Sequence, residues 1–230
     1  TDNAIYEMAT VLKNIEAYRF PVRVNDATRR YLEASARVTP GEVGEAMARL
    51  AKDPTDSAAA EVLWHEPEQV GITRTTCVAT MLRAGHAENA LPQSATATVN
   101  CRIFPGTEVA DVQAVLQRVG GNPDLDIRPL GDPVPSPAPP LRDDVMDAVR
   151  LGVERIRPGT AVIPLMSAYG TDGKAVRRAG IPTYGVMGIF IKDSDQFAHG
   201  LNERTTVRSF YDALEFWHVV LTTLSGRATS

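Results

Sequence analysis

The chain has 230 residues, of which 43% are apolar, enough to bury one large core or two smaller ones. Its formal net charge of -4 gives no basic footprint for nucleic acid, and no apolar run is long enough to span a bilayer, so neither is expected as a partner. No signal-peptide pattern is visible, and the 2 cysteines, Cys77 and Cys101, have neither the number of a disulfide framework nor the close neighbours of a zinc knuckle.

The chain opens in a helix. Asp2 is placed to cap it, Ile5, Met8, Ala9, Leu12 and Ile15 form one apolar stripe, and Phe20-Pro21 ends it. A helix with no run-in, in a chain that lacks an initiator Met, is expected to have something before Thr1. Residues of about 22–72 read as an insertion of short helices without evident chemistry. Thr39-Pro40-Gly41-Glu42 has capping-box spacing, Asp53-Pro54 starts a further helix through Leu63, and Trp64 and His65 close the block. Thr75 to Leu82 alternates as a strand.

Gly85 to Gly106 reads as a loop, a strand and a stop. Asn89-Ala-Leu-Pro92 is a turn headed by an amide. From Ala95 the residues alternate: Ala95, Ala97, Val99, Cys101 and Ile103 belong on a core, and Thr96, Thr98, Asn100 and Arg102 face outward. By itself this is a half-buried edge strand with a polar outer face. If the two strands pair antiparallel, Cys77 and Cys101 stand equidistant from Asn89; they read as two small buried apolar residues.

Thr107 is placed to cap a helix with Val109, Val112, Leu116 and Val119 inward, stopped by Gly120-Gly121, and Leu125 to Leu130 is a further strand. One strand added before Thr1 would make the order β-α-β-β-α-β, the ferredoxin-like split unit. The prolines at 133, 135, 137, 139 and 140 mark a semi-rigid crossing over 133–140, dividing a domain of residues 1–132 from one of 141–230. Beyond it come a helix through Ile156, an apolar strand over 161–166, the loop Ser167-Ala-Tyr-Gly-Thr-Asp172, a short helix at Val176 to Ala179 and an apolar strand over 181–187. This predicts an α/β sheet covered by helices, with ligands at the loops that leave the strands. The second such loop holds Asp193, Asp195, His199, Asn202 and Glu203. The last helix, capped by Thr205 or Thr206, is expected to turn Phe210, Leu214, Trp217, Leu221 and Leu224 inward.

Three of these stretches, in order, resemble the co-catalytic zinc exopeptidases, among them glutamate carboxypeptidase, succinyl-diaminopimelate desuccinylase, aminoacylase and several dipeptidases. Gly85 to Gly106 resembles their lid signature, Ser167 to Asp172 their Gly-Thr-Asp loop, and Gly180-Ile-Pro-Thr with His199-Gly-Leu-Asn-Glu203 their closing segment. The resemblance implies a ferredoxin-like α+β lid (dimerisation) domain lacking its first strand, followed by the C-terminal part of an α/β catalytic domain. It implies that Arg102 pairs with the substrate's carboxylate, that Gly170 and Thr171 contact the same group, and that Asn89 reaches over the site, sometimes into a neighbouring subunit. It implies that His199 is the last ligand of a two-zinc centre, with Asp172 and Glu203 placed near it.

The family's other metal ligands, its general base and its oxyanion-stabilising lid histidine are absent and are expected upstream of Thr1. Ala168 and Tyr169 stand where glycines are common, which implies a tighter pocket. The implied reaction is metal-assisted hydrolysis of an amide in a peptide or N-acyl amino acid, by a homodimer joined through the lid. The chain alone, supplying one ligand, is expected to be inactive. The alternatives are a ferredoxin-like dimerisation or small-molecule binding module without catalysis, and a relative that has lost its metals. The compartment, cytoplasmic or periplasmic, is left open.

Overall fold

The computed structural model describes residues 2–131, 133, 138–195 and 198–226, with Asp193 described by its backbone alone. Pro135 and Pro137 of the expected crossing lie outside the described residues, as does Thr1. The chain divides into two units, Thr1–Ala138 with Leu165–Ile181, and Pro139–Pro164 with Pro182–Ser230.

In the first unit, helix α1 (Ala4–Ala17) is capped by Asn3, whose side chain accepts the Ile5 N–H at 2.9 Å; Asp2 is not the cap. Its buried stripe, Val11 and Ile15, packs with Val112 and Leu116 of α6 (Val109–Gly120) over one face of a two-stranded sheet. That sheet joins β1 (Thr76–Ala84) and β2 (Ala95–Arg102) in an antiparallel ladder. On β2 the alternation holds: Val99 and Cys101, with Ile103 beyond, turn to this core, while Thr96, Asn100 and Arg102 are exposed. On β1 it fails. Thr80 is a bulge between the Ala79 and Met81 rungs, which shifts the phase, and everything from Val78 to Ala84 is exposed.

Cys77 and Cys101 face each other in register and form a disulfide, which corrects the reading of two unbridged apolar residues. Opposed rungs on one face bring side chains close enough to bridge. Leu125 to Leu130 is irregular rather than a strand. It has no ladder partner among the described residues, and α6 takes its carbonyls instead: Gln117 Nε2 donates to Leu125 O and Gln113 Nε2 to Ile127 O, both at 2.8 Å.

The insertion is a bundle of four helices, α2 (Asp26–Ala36), α3 (Gly41–Lys52), α4 (Ser57–Trp64) and α5 (Pro67–Thr73); Leu32, Met47, Leu50 and Leu63 of the first three form its core, and α5 joins α2 through Gln69 Nε2, which donates to Tyr31 Oη at 3.1 Å. Two starts differ from expectation. Pro40, without a side-chain cap bond, replaces Thr39 at the head of α3, and α4 is capped by Asp56 because Asp53 is used in a turn with Thr55. The bundle is tied to the sheet side of the unit. Arg23 N–H donates to Thr73 O at 2.8 Å, and Phe104 N–H donates to Thr75 Oγ1 at 3.0 Å. Arg74 is 6% exposed; its guanidinium lies 5.0 Å from the Trp64 ring and donates to Phe20 O at 3.3 Å. Burial, and then the neighbouring Arg19, hold its pKa below the ordinary arginine range.

In the second unit, α7 (Asp143–Ile156) packs against α9 (Val207–Leu224), capped by Thr206. The buried face of α9 is Ser209, Ala213, Phe216 and Val220, not the expected one. Phe210, Leu214, Trp217, Leu221 and Leu224 are exposed. The helix is apolar on adjacent faces, and α7 selects the one that carries Phe216. A Cβ at Gly152 would lie 2.7 Å from the Phe216 ring, so the glycine makes room for it. The segments 161–166 and 181–187 are not strands, since the described residues offer neither a neighbour to pair with; Val162 and Val186 pack on the α7–α9 core instead. The chain is thus α/β with one small antiparallel sheet among the described residues.

Candidate functional site

Arg102 ends β2 on the last rung of the ladder, opposite Thr76, with its side chain outward. The loop 167–172 belongs to the same unit and comes to it. A Cβ added at Gly170 would lie 3.7 Å from Arg102 Nη1, so backbone and guanidinium are neighbours. Thr171 and Asp172, both exposed, lead into α8 (Gly173–Arg178), their carbonyls accepting the N–H groups of Lys174 at 3.1 Å and Ala175 at 3.0 Å. A guanidinium beside a backbone that carries no side chain suits a small planar anion such as a carboxylate.

Asn89 is not part of this cluster. It is exposed in the turn that joins the far ends of the strands, where Ala84 pairs with Ala95. Eight strand residues at about 3.3 Å each put it roughly 25 Å along the ladder from Arg102. The loop is anchored at Pro92, whose carbonyl accepts the Ala4 N–H at 3.3 Å.

In the second unit, His199 is exposed and has φ 62, the one left-handed non-glycine among the described residues. Its backbone N–H donates to Glu203 Oε2 at 3.2 Å, and the Glu203 N–H donates to Gly200 O at 3.3 Å. Glu203 therefore braces the loop backbone. Asp195 accepts from Arg204 Nη2 at 3.2 Å. Among the described residues no three His, Cys, Asp or Glu side chains converge as a metal centre requires. The donors present do not fit a complete zinc site.

The insertion read as free of chemistry also reaches the loop. Asn25 Nδ2 lies 3.6 Å from Met166 Sδ, and Gly71 lies against Ala168. Neither residue carries a sequence signal beyond being small or a helix cap.

The peptidase dimerisation domain family, that of the M20 peptidases, matches residues 1–124. A probable carboxypeptidase S-like 2 of Dictyostelium discoideum is 24% identical over 159 residues, 68% of this chain and 31% of the relative. The human N-fatty-acyl-amino acid synthase/hydrolase PM20D1 is 28% identical over 149 residues, 63% of this chain and 30% of the relative. The crystal structure of Sso-CP2, an M20 family metallo-carboxypeptidase from Sulfolobus solfataricus, has TM-score 0.54 at 16% identity, covering 97% of this chain and 56% of that one. That likeness is one of fold. The chain spans about a third of the length of the curated relatives it matches.

Proposed function

The chain belongs to the M20 peptidases, with their dimerisation domain in its first 124 residues, and on that premise we propose that it is part of a metal-dependent exopeptidase or N-acyl amino acid hydrolase. The observation that carries this reading is the approach of the Gly170 backbone to the Arg102 guanidinium. A substrate carboxylate there is held bidentately by Arg102 and approached by Gly170 and the Thr171 hydroxyl, which fixes the scissile amide one residue away. The names of the relatives, a carboxypeptidase and an N-fatty-acyl-amino acid synthase/hydrolase, support a substrate with a terminal carboxylate.

In the whole enzyme His199 would be this chain's ligand for a metal centre of two zinc ions, and Glu203 holds the loop that carries it; the remaining ligands and the general base would come from the protein outside this chain. Residues 1–132 are the lid, of ferredoxin-like plan, with the insertion within it, 133–140 the crossing and 141–230 the C-terminal part of the catalytic domain. The lid makes a homodimer, which the exposed Val78, Met81 and Leu82 of β1 support. Asn89, far along the ladder from Arg102, serves the neighbouring subunit's site. The test is product release by the whole, metal-loaded protein. Free amino acid should appear from an N-acyl amino acid or from the carboxyl end of a peptide. Release that proceeds equally well from C-terminally amidated substrates would refute the reading.

A further inference from the structure

The loop that carries Gly170 rests on α5. A Cβ built at Gly71 would lie 2.5 Å from the Cβ of Ala168, well inside the roughly 3.5–4.0 Å at which carbon atoms settle. The Ala168 methyl is fixed by its backbone and cannot swing aside. The insertion makes a second contact, through Asn25 Nδ2 and Met166 Sδ, while Asn25 Oδ1 caps α2 by accepting the Thr28 N–H at 2.9 Å. The last turn of α5 is held by the Arg23 N–H on Thr73 O and by Thr28 Oγ1 on Ile72 O at 3.3 Å, and Ile72 and Thr73 are buried.

We infer that Gly71 is a positioning residue for carboxylate recognition: the insertion, through the Gly71–Ala168 contact, sets the height of the 167–172 loop and with it the gap between the Gly170 backbone and Arg102. The inference rests on the reading of Arg102 and Gly170 as the carboxylate site. A methyl added at Gly71 lifts Ala168, and two residues on Gly170 leaves the guanidinium. The contact has room for one methyl. Moving that methyl from Ala168 to residue 71 should preserve the spacing, whereas having it on both sides should not.

The test measures KM and kcat of the whole hydrolase on one carboxylate-terminated N-acyl amino acid, in Gly71→Ala, Ala168→Gly, the double variant and Arg102→Ala. Gly71→Ala should raise KM roughly tenfold with kcat changed by less than about twofold, and the double variant should return KM to within about threefold of the parent. An unchanged KM in Gly71→Ala, or no rescue by Ala168→Gly, overturns the role of Gly71; a raised KM in Arg102→Ala would show that the carboxylate reading survives that failure. An unchanged KM in Arg102→Ala removes the carboxylate reading and the inference together. Should Gly71→Ala not fold, Ala168→Val adds bulk to the same contact from the loop side. It should give the same KM rise, and an unmoved KM there is equally fatal.

Discussion

The two loops that carry the candidate chemistry are held in opposite ways. The 167–172 loop is seated from outside, with Met166 by Asn25, Ala168 against Gly71 and Gly170 beside Arg102. The His199 loop is held from within, by a left-handed residue and a hydrogen bond from its own backbone to Glu203 four residues on. Where Gly170 stands is thus a property of the insertion and the sheet. Where His199 stands is a property of its local sequence.

The sharpest way to break this contrast is to loosen the insertion. Leu50 is fully buried in its core, and Leu50→Ala should cost about 2–5 kcal/mol in urea unfolding. Hydrogen exchange should then quicken across 167–172 and stay unchanged across 199–203; equal quickening of both would erase the distinction. Next in size is the Cys77–Cys101 bridge, one rung from Arg102. Its reduction should lower stability by about 2–4 kcal/mol, read from melts with and without reductant, and should quicken exchange in β1 and β2 but not in the His199 loop. The smallest effect sharpens the other side. His199→Gly removes the penalty of a left-handed non-glycine and should stabilise the second unit by up to about 1 kcal/mol, read as a rise in midpoint. A fall would mean that the imidazole itself holds the loop.

What was legible in the sequence follows the same line. Local signals carry the alternation of β2, the stop at Gly120-Gly121, a cap at Thr206, and the paired strands flanking Asn89. Features that depend on a neighbour leave no such signal. Periodicity made α9 amphipathic but could not say which of its apolar faces α7 covers; that was decided by Gly152 accommodating Phe216. The segments 125–130, 161–166 and 181–187 are apolar enough for strands, yet a strand requires a partner, and the described residues supply none. The disulfide needed the register, which spacing suggested without fixing the chemistry. At the site, Arg102 could be singled out as a polar residue at a strand end, and the family resemblance supplied Gly170. The contact of Gly71 with Ala168 joins residues 97 positions apart and leaves no mark in either segment.

The central claim is that Arg102, beside Gly170, holds a substrate carboxylate. The most direct measurement is kcat/KM of the whole hydrolase for a substrate with a free carboxylate and for the same substrate capped as an amide, before and after Arg102→Ala. Loss of a charge-assisted pairing of about 1.5–3 kcal/mol should lower the value for the free carboxylate by roughly ten- to a hundredfold and leave the capped substrate nearly unchanged. A ratio between the two substrates that does not move when the guanidinium is removed would contradict the account.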